Sequence, residues 1–131
     1  MQAQAASAET STMETLARQN DAFRQALMSI NFEGQMLRGR MGMTTGVANL
    51  DHEVLLGVLK KVREFEDFAA GDDPYGEHDF VAFSHPVGGV EQRFFFKIDY
   101  YSDASMEFGS DDPVNPSVTY RTGTLLLASE Y

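Results

Sequence analysis

Residues 73–80 read DPYGEHDF and place an aspartate, a glutamate, a histidine and a second aspartate within a few positions. An imidazole beside carboxylates is the material of general acid–base catalysis, because the carboxylate orients the ring and raises its basicity. Such chemistry would use His78 with Asp79, Asp99 or Tyr101, in a small hydrolase or lyase. The same stretch also reads as a structural corner. Pro74 presets φ for a turn, Gly76 accepts a positive φ, and Asp72 and Asp73 can accept backbone hydrogen bonds at its start. On that reading Tyr75 and Phe80 pack, and the acids cap turns or pair locally. A metal site fits poorly: if a strand begins at Glu77, then Glu77 and Asp79 face one side and His78 the other. No metal and no cofactor is expected.

A second stretch with chemical content is RFFFKIDYY, residues 93–101. In a strand, Phe94, Phe96, Ile98 and Tyr100 point to one side, the natural core face. Arg93, Phe95, Lys97, Asp99 and Tyr101 point to the other, a mixture that suits an open or partner-facing surface. Lys97 and Asp99 are spaced to form an ion pair. The candidate binding residues are therefore Tyr75, Glu77, His78, Asp79, Lys97, Asp99 and Tyr101. Other motifs are missing. Ser84-His85 lacks the G-x-S-x-G elbow, and VGGV at 87–90 lacks the helix and lysine of a phosphate loop. Lys60, Lys61 and Arg63 mix with acids as a solvated helix face, and Arg38 and Arg40 are too few for a nucleic-acid site.

The elements that must position these residues follow from periodicity. A small, polar segment, 1–10, is expected as a disordered tail ahead of one domain, 11–131. A helix should start near Ser11 or Thr12 and carry the stripe Leu16, Phe23, Leu27 and Ile30, ending at Phe32-Glu33-Gly34 with Gly34 as a left-handed cap. A short strand is expected over 36–44, with Arg38 and Arg40 on one side, and a loop over TGVANLD. The strongest element is a helix from about 51 to 68, with Val54, Leu55, Val58, Leu59, Val62 and Phe65 on one stripe. Strands are expected at 79–85, 92–101, 105–109 and 117–127, joined by PVGGV, SDAS and a longer loop. The fold class is α+β: two main helices packed on one face of a mainly antiparallel sheet of four to five strands.

The chain has 131 residues, no cysteine and a formal net charge of −10. Disulfides, thiolate catalysis and zinc–thiolate sites are excluded. Residues 1–63 carry seven Lys/Arg against six Asp/Glu, whereas residues 64–131 carry three against fourteen. Such a body repels nucleic acid and attracts basic protein surfaces. MQAQAASAETST has neither the basic region nor the apolar stretch of a secretion signal, and no apolar run is long enough to cross a membrane. A cytoplasmic protein is expected.

DPYGEHDF, FFFKIDYY, FGSDDP and the terminal ASEY together resemble a family of small bacterial proteins known only as a domain of unknown function. That family is frequent in alphaproteobacteria and often carried on plasmids and other mobile elements. The resemblance runs from about Asn20 to Tyr131, with Phe96 where the family often has Trp and with HPVGG as an enlarged hairpin. It brings no activity and no functional residues; its setting implies an accessory or anti-defence role. The reading expected from the residues is a non-enzymatic acidic module whose sheet side or loops bind a basic protein partner, without direct nucleic-acid binding.

Overall fold

The computed structural model describes residues 2–68 and 73–131, with side chains from Thr12 onward. The side chains of the expected tail and residue Asp72 lie outside the described residues. Helix α1 spans Gln2–Ala26, ahead of the start expected near residue 11. Its buried side is Leu16, Ala17, Gln19, Asn20, Phe23 and Arg24, a stripe at helical spacing in which three of the members are polar.

The helix ends earlier than its stripe suggested. Leu27 takes a left-handed φ of 57° and its N–H still bonds to Phe23 O, which closes the helix. Strands β1 (Met28–Phe32) and β2 (Gln35–Met43) then form an antiparallel hairpin. Glu33 and Gly34 both have positive φ, which a two-residue hairpin turn requires, and the Asn31 side chain accepts the Gly34 N–H. Ile30 is thus a strand residue paired with Leu37, not the last turn of a helix, and Gly34 is a turn residue rather than a helix cap.

A short helix α2 (Thr45–Ala48) occupies part of the expected loop and buries Val47. Helix α3 (His52–Glu64) follows, with Val58 and Val62 fully buried and Val54, Leu55, Leu59, Phe65 and Phe68 packed around them. It stops short of residue 68 for a physical reason. The buried Arg24 guanidinium donates to Val62 O and Arg63 O, so a cation caps the carbonyl end of α3. Phe65 turns extended there and meets Phe68 edge-on.

Strands β3 (Phe80–Val87), β4 (Val90–Tyr101) and β5 (Tyr120–Leu127) complete a five-stranded mixed sheet in the order β1-β2-β5-β4-β3. The β2–β5 pair is parallel and the others antiparallel. The class is α+β, as expected. The expected strand 105–109 reduces to one bridge, Tyr101 to Gly109. There Asp103 accepts hydrogen bonds from Ser105 N–H and Oγ–H, and Met106 turns left-handed, so local side-chain bonding displaces extended pairing.

Both helices cover the sheet face that carries Phe94, Phe96, Ile98 and Leu125, all buried. The approach of α1 is very close. The Phe23 ring lies over Gly39 and Gly123, where a Cβ would sit 2.7 and 3.3 Å from ring atoms. A Cβ at Gly39 would also meet Arg121 O at 2.3 Å, which is backbone and cannot step aside. Gly39→Ala should therefore cost about 1–3 kcal/mol or more through overpacking. Gly42→Ala, on the same strand with nothing within 4 Å of its Cβ, should be neutral or mildly stabilising. Urea denaturation of the two variants checks this; equal midpoints would mean that α1 does not press on the sheet.

Candidate functional site

The DPYGEHDF stretch is a tight turn followed by a strained residue. Gly76 N–H bonds to Asp73 O with Gly76 at φ 70°, and the buried Asp73 carboxylate accepts the His78 N–H at 3.1 Å. His78 itself has φ 56°, uncommon for a residue with a side chain. Its ring stacks on Phe68 at 3.9 Å and nearly parallel. Nδ1 lies 2.9 Å from Asp21 Oδ1, and Nε2 lies 3.7 Å from Asp73 Oδ2. The imidazole is therefore clamped between two carboxylates at one edge of a pocket of about 250 Å³ lined by Asp21, Arg24, Phe65, Glu66 and Phe68. Sequence reasoning missed Asp21, which lies on α1 with no local signal tying it to the corner. Tyr75 does not pack: the turn projects it into solvent, 73% exposed. Phe80 does, against Phe95.

Glu77 and Asp79 face a second network. The Tyr100 hydroxyl donates to Glu77 Oε2, while Asn20 Nδ2 donates to Glu77 O and to the Tyr100 oxygen. Asn20 Oδ1 in turn accepts from Arg121 Nε, and Arg121 Nη2 donates to Gln19 Oε1 and Pro113 O. Arg121 is fully buried, and among the described residues no carboxylate pairs with it and Nη1 has no partner. Burial lowers its pKa to about 10 and raises that of Tyr100. Burial also raises the pKa of Glu77 and of Asp79, and neighbouring carboxylates add to it: Asp79 at Glu77, and Asp73 and Asp99 at Asp79. The network ties α1 to β4, β5 and the loop after β4.

The other sheet face is open. Strand register sets its rows: Arg38–Tyr120–Tyr101, then Arg40–Thr122–Asp99, then Gly42–Thr124–Lys97. The second and third rows, with Tyr101 and Met106, border a groove of about 300 Å³. Lys97 and Asp99 form the expected ion pair at 3.3 Å. At one end Phe95 meets Phe80 at a tilt and the terminal Tyr131 edge-on. Tyr131 is brought there by Glu130, whose carboxylate accepts from Thr44 Oγ1, Gly46 N and Leu127 N.

Thus Lys97, Asp99 and Tyr101 come together on the open face, whereas Glu77 and His78 face α1. His78 and the Asp99/Tyr101 pair line different cavities. The sheet side is not acidic as expected either, since strand alternation gives it Arg38, Arg40, Arg93 and Lys97 against Glu91 and Asp99. The connection 102–119 exposes four acids, Asp103, Glu107, Asp111 and Asp112, and a Phe108 that is 71% exposed.

The carboxylate crowding has a sign. Groups whose folded pKa is raised contribute stability below their unfolded pKa and lose it as pH rises through the folded value. Asp79→Asn should accordingly raise the melting temperature at neutral pH, and the gain should shrink as pH falls into the ordinary carboxylate range. A gain that is constant with pH, or a loss at neutral pH, would show that the repulsion around Asp79 is already offset.

Among known proteins, no curated protein and no solved structure matches the chain. A family match spans residues 43–130, from the end of β2 to the terminal turn, and includes α3, the corner, the groove's β4 and β5 walls and the acidic loop. That match covers well over half of the sequence, and the chain belongs to the family described as "Protein of unknown function (DUF3768)".

Proposed function

We propose that the chain is a non-enzymatic interaction protein whose acidic loop, 102–119, docks on a basic surface of a protein partner. The observation that carries this reading is Phe108, 71% exposed on a connection whose Asp103, Glu107, Asp111 and Asp112 are exposed as well. An exposed aromatic ring on a charged loop has the makings of a binding hot spot, and long structured loops on a rigid sheet are where such function sits. The loop is held before any partner arrives. Ser102 N bonds Phe108 O, Ser110 N bonds Tyr100 O, Ser110 Oγ bonds Val118 O, and Thr119 Oγ1 bonds Asp112 O. Preorganisation of this kind reduces the entropy lost on binding. The family resemblance adds a setting, an accessory role in mobile-element or anti-defence biology, in the cytoplasm. Among the described residues no helix is long and apolar enough to cross a membrane.

A hydrolase or lyase reading has one observation in its favour, the Asp21–His78 pair beside a pocket. It then rests on Asp21 rather than on Asp99 or Tyr101. Against it, the second ring nitrogen faces the buried Asp73 instead of open solvent.

Two measurements separate the readings. Phe108→Ser should leave the melting temperature unchanged and weaken partner capture by about 2 kcal/mol or more, while Glu107→Gln and added salt slow association. Capture indifferent to Phe108 and to salt, or direct binding of duplex DNA, would overturn the docking reading. His78→Ala should lower stability by roughly 1–3 kcal/mol, since it strips the imidazole hydrogen bond from the Asp21 carboxylate and the ring stacked on Phe68, while the backbone bond to Asp73 remains. A variant that melts like the parent would favour catalysis.

A further inference from the structure

Phe108 is not among the residues that border the open-face groove, and the chemistry of the groove is different. In a chain with net charge −10, this face gathers four exposed or half-exposed cations against two acids. Arg40 has no carboxylate partner among the described residues; its guanidinium reaches only the Met106 sulfur at 3.4 Å, a weak acceptor. Lys97 stands on the other side of β5, in its ion pair with Asp99. Between them the floor offers the Thr122 and Thr124 hydroxyls, and Gly42 leaves room by carrying no side chain. Strands lie about 4.8 Å apart and Lys97 stands one row on from Arg40, so Arg40 on β2 and Lys97 on β4 are about 12 Å apart at the backbone, a span that two long side chains close over a small group.

We propose that this groove binds a sugar phosphate or a similar small phosphorylated polyol. Four donors converging from β2, β4 and β5 suit a tetrahedral dianion better than a planar carboxylate. The Arg40 guanidinium and the Lys97 ammonium hold the phosphoryl oxygens from opposite sides, and the two threonine hydroxyls donate from below. As Lys97 moves toward the phosphate, Asp99 is released to accept hydrogen bonds from sugar hydroxyls, and Tyr101 offers a ring edge beside it. The groove, about 300 Å³, is at the small end of ligand sites, which fits a monosaccharide phosphate. The exposed Asp103 and Glu107 of the adjoining loop repel an extended polyanion, which disfavours single-stranded nucleic acid.

The test is calorimetric titration of the full chain with ribose 5-phosphate, ribose, inorganic phosphate and a short oligothymidylate. Ribose 5-phosphate should bind saturably, inorganic phosphate more weakly and ribose undetectably. Arg40→Gln should weaken ribose 5-phosphate binding by about tenfold or more, as expected for loss of a charge-assisted contact. Arg93→Gln, on the same face but outside the groove, and Phe108→Ser, in the acidic loop, should leave it unchanged. Both Arg40 and Arg93 are exposed, so unchanged circular dichroism confirms the fold. No saturable binding up to tens of millimolar, equal binding of ribose, indifference to Arg40→Gln, or tighter binding of the oligonucleotide would each overturn the proposal. Because Phe108 takes no part, failure here leaves the docking reading intact, and the reverse also holds.

Discussion

The close seat of helix α1 on the sheet is the constraint on which the rest of the molecule depends. Phe23 reaches the sheet only because Gly39 and Gly123, on neighbouring strands, carry no side chain beneath it. With Phe23 there, one helical turn delivers three polar residues at once. Asn20 meets Arg121 and Tyr100, Arg24 meets the carbonyl end of α3, and Asp21 meets His78. Each contact is specific in direction, so a small rotation of α1 would lose all three. Arg24 and Arg121 also show why this packing must be accurate. A buried guanidinium is tolerated only while its hydrogen bonds are made, and removing a partner costs several kcal/mol, roughly.

Charge is segregated more sharply than the composition implies. The acidic half of the sequence supplies β3, β4 and β5, yet the cations of these strands do not scatter. Arg93 and Lys97 join Arg38 and Arg40 on the open face, and Arg121 is buried under α1. Most of the acids near these strands fall in the turns, at the corner 73–79 and on the loop 102–119, with Glu91 and Asp99 left on β4. Sheet alternation does this sorting, since neighbours on a strand are forced to opposite sides. Acidic loops next to a mildly basic sheet face give one small domain two surfaces with opposite preferences. Its net charge describes the first of them only.

What could be read from the sequence follows the same logic. The α3 stripe and the two faces of β4 were legible because burial imposes a period on them, 3.6 in one case and 2 in the other. Phe94, Phe96 and Ile98 are buried, and Lys97 pairs with Asp99 as their spacing suggests. Of the hairpin at 28–43, the second strand was legible as the strand expected over 36–44, whereas β1 and its turn were not. Ile30 falls at helical spacing from Leu27 by coincidence, and the turn that breaks the pattern depends on left-handed Leu27 and Glu33, which carry no glycine signature. Residues 105–109 look strand-like but yield to the hydrogen bonds that Ser105 donates to a single aspartate, Asp103. Asp21 at the corner and the caps made by Arg24 and Glu130 are pairings between distant segments. No local pattern encodes them, because a carboxylate or guanidinium on a helix surface looks the same whether it meets water or a buried carbonyl.

The extent of the family match sharpens the role of α1 and the hairpin. Residues 43–130 hold α2, α3, the corner, β3 to β5 and the acidic loop, but not Phe23, Asn20, Asp21 or Arg24. Without the preceding segment β5 would lose its parallel partner β2 and present a ladder of unpaired backbone groups. Arg121 would lose both amide partners, α3 its cationic cap, and His78 the carboxylate at Nδ1. The matched segment therefore does not close its own core. The corner motif, with its left-handed histidine and crowded acids, is the part of that segment least able to hold its shape alone. It is kept in place from outside the matched segment, by Asp21 of α1 at His78 Nδ1 and by Asn20 at Glu77 O.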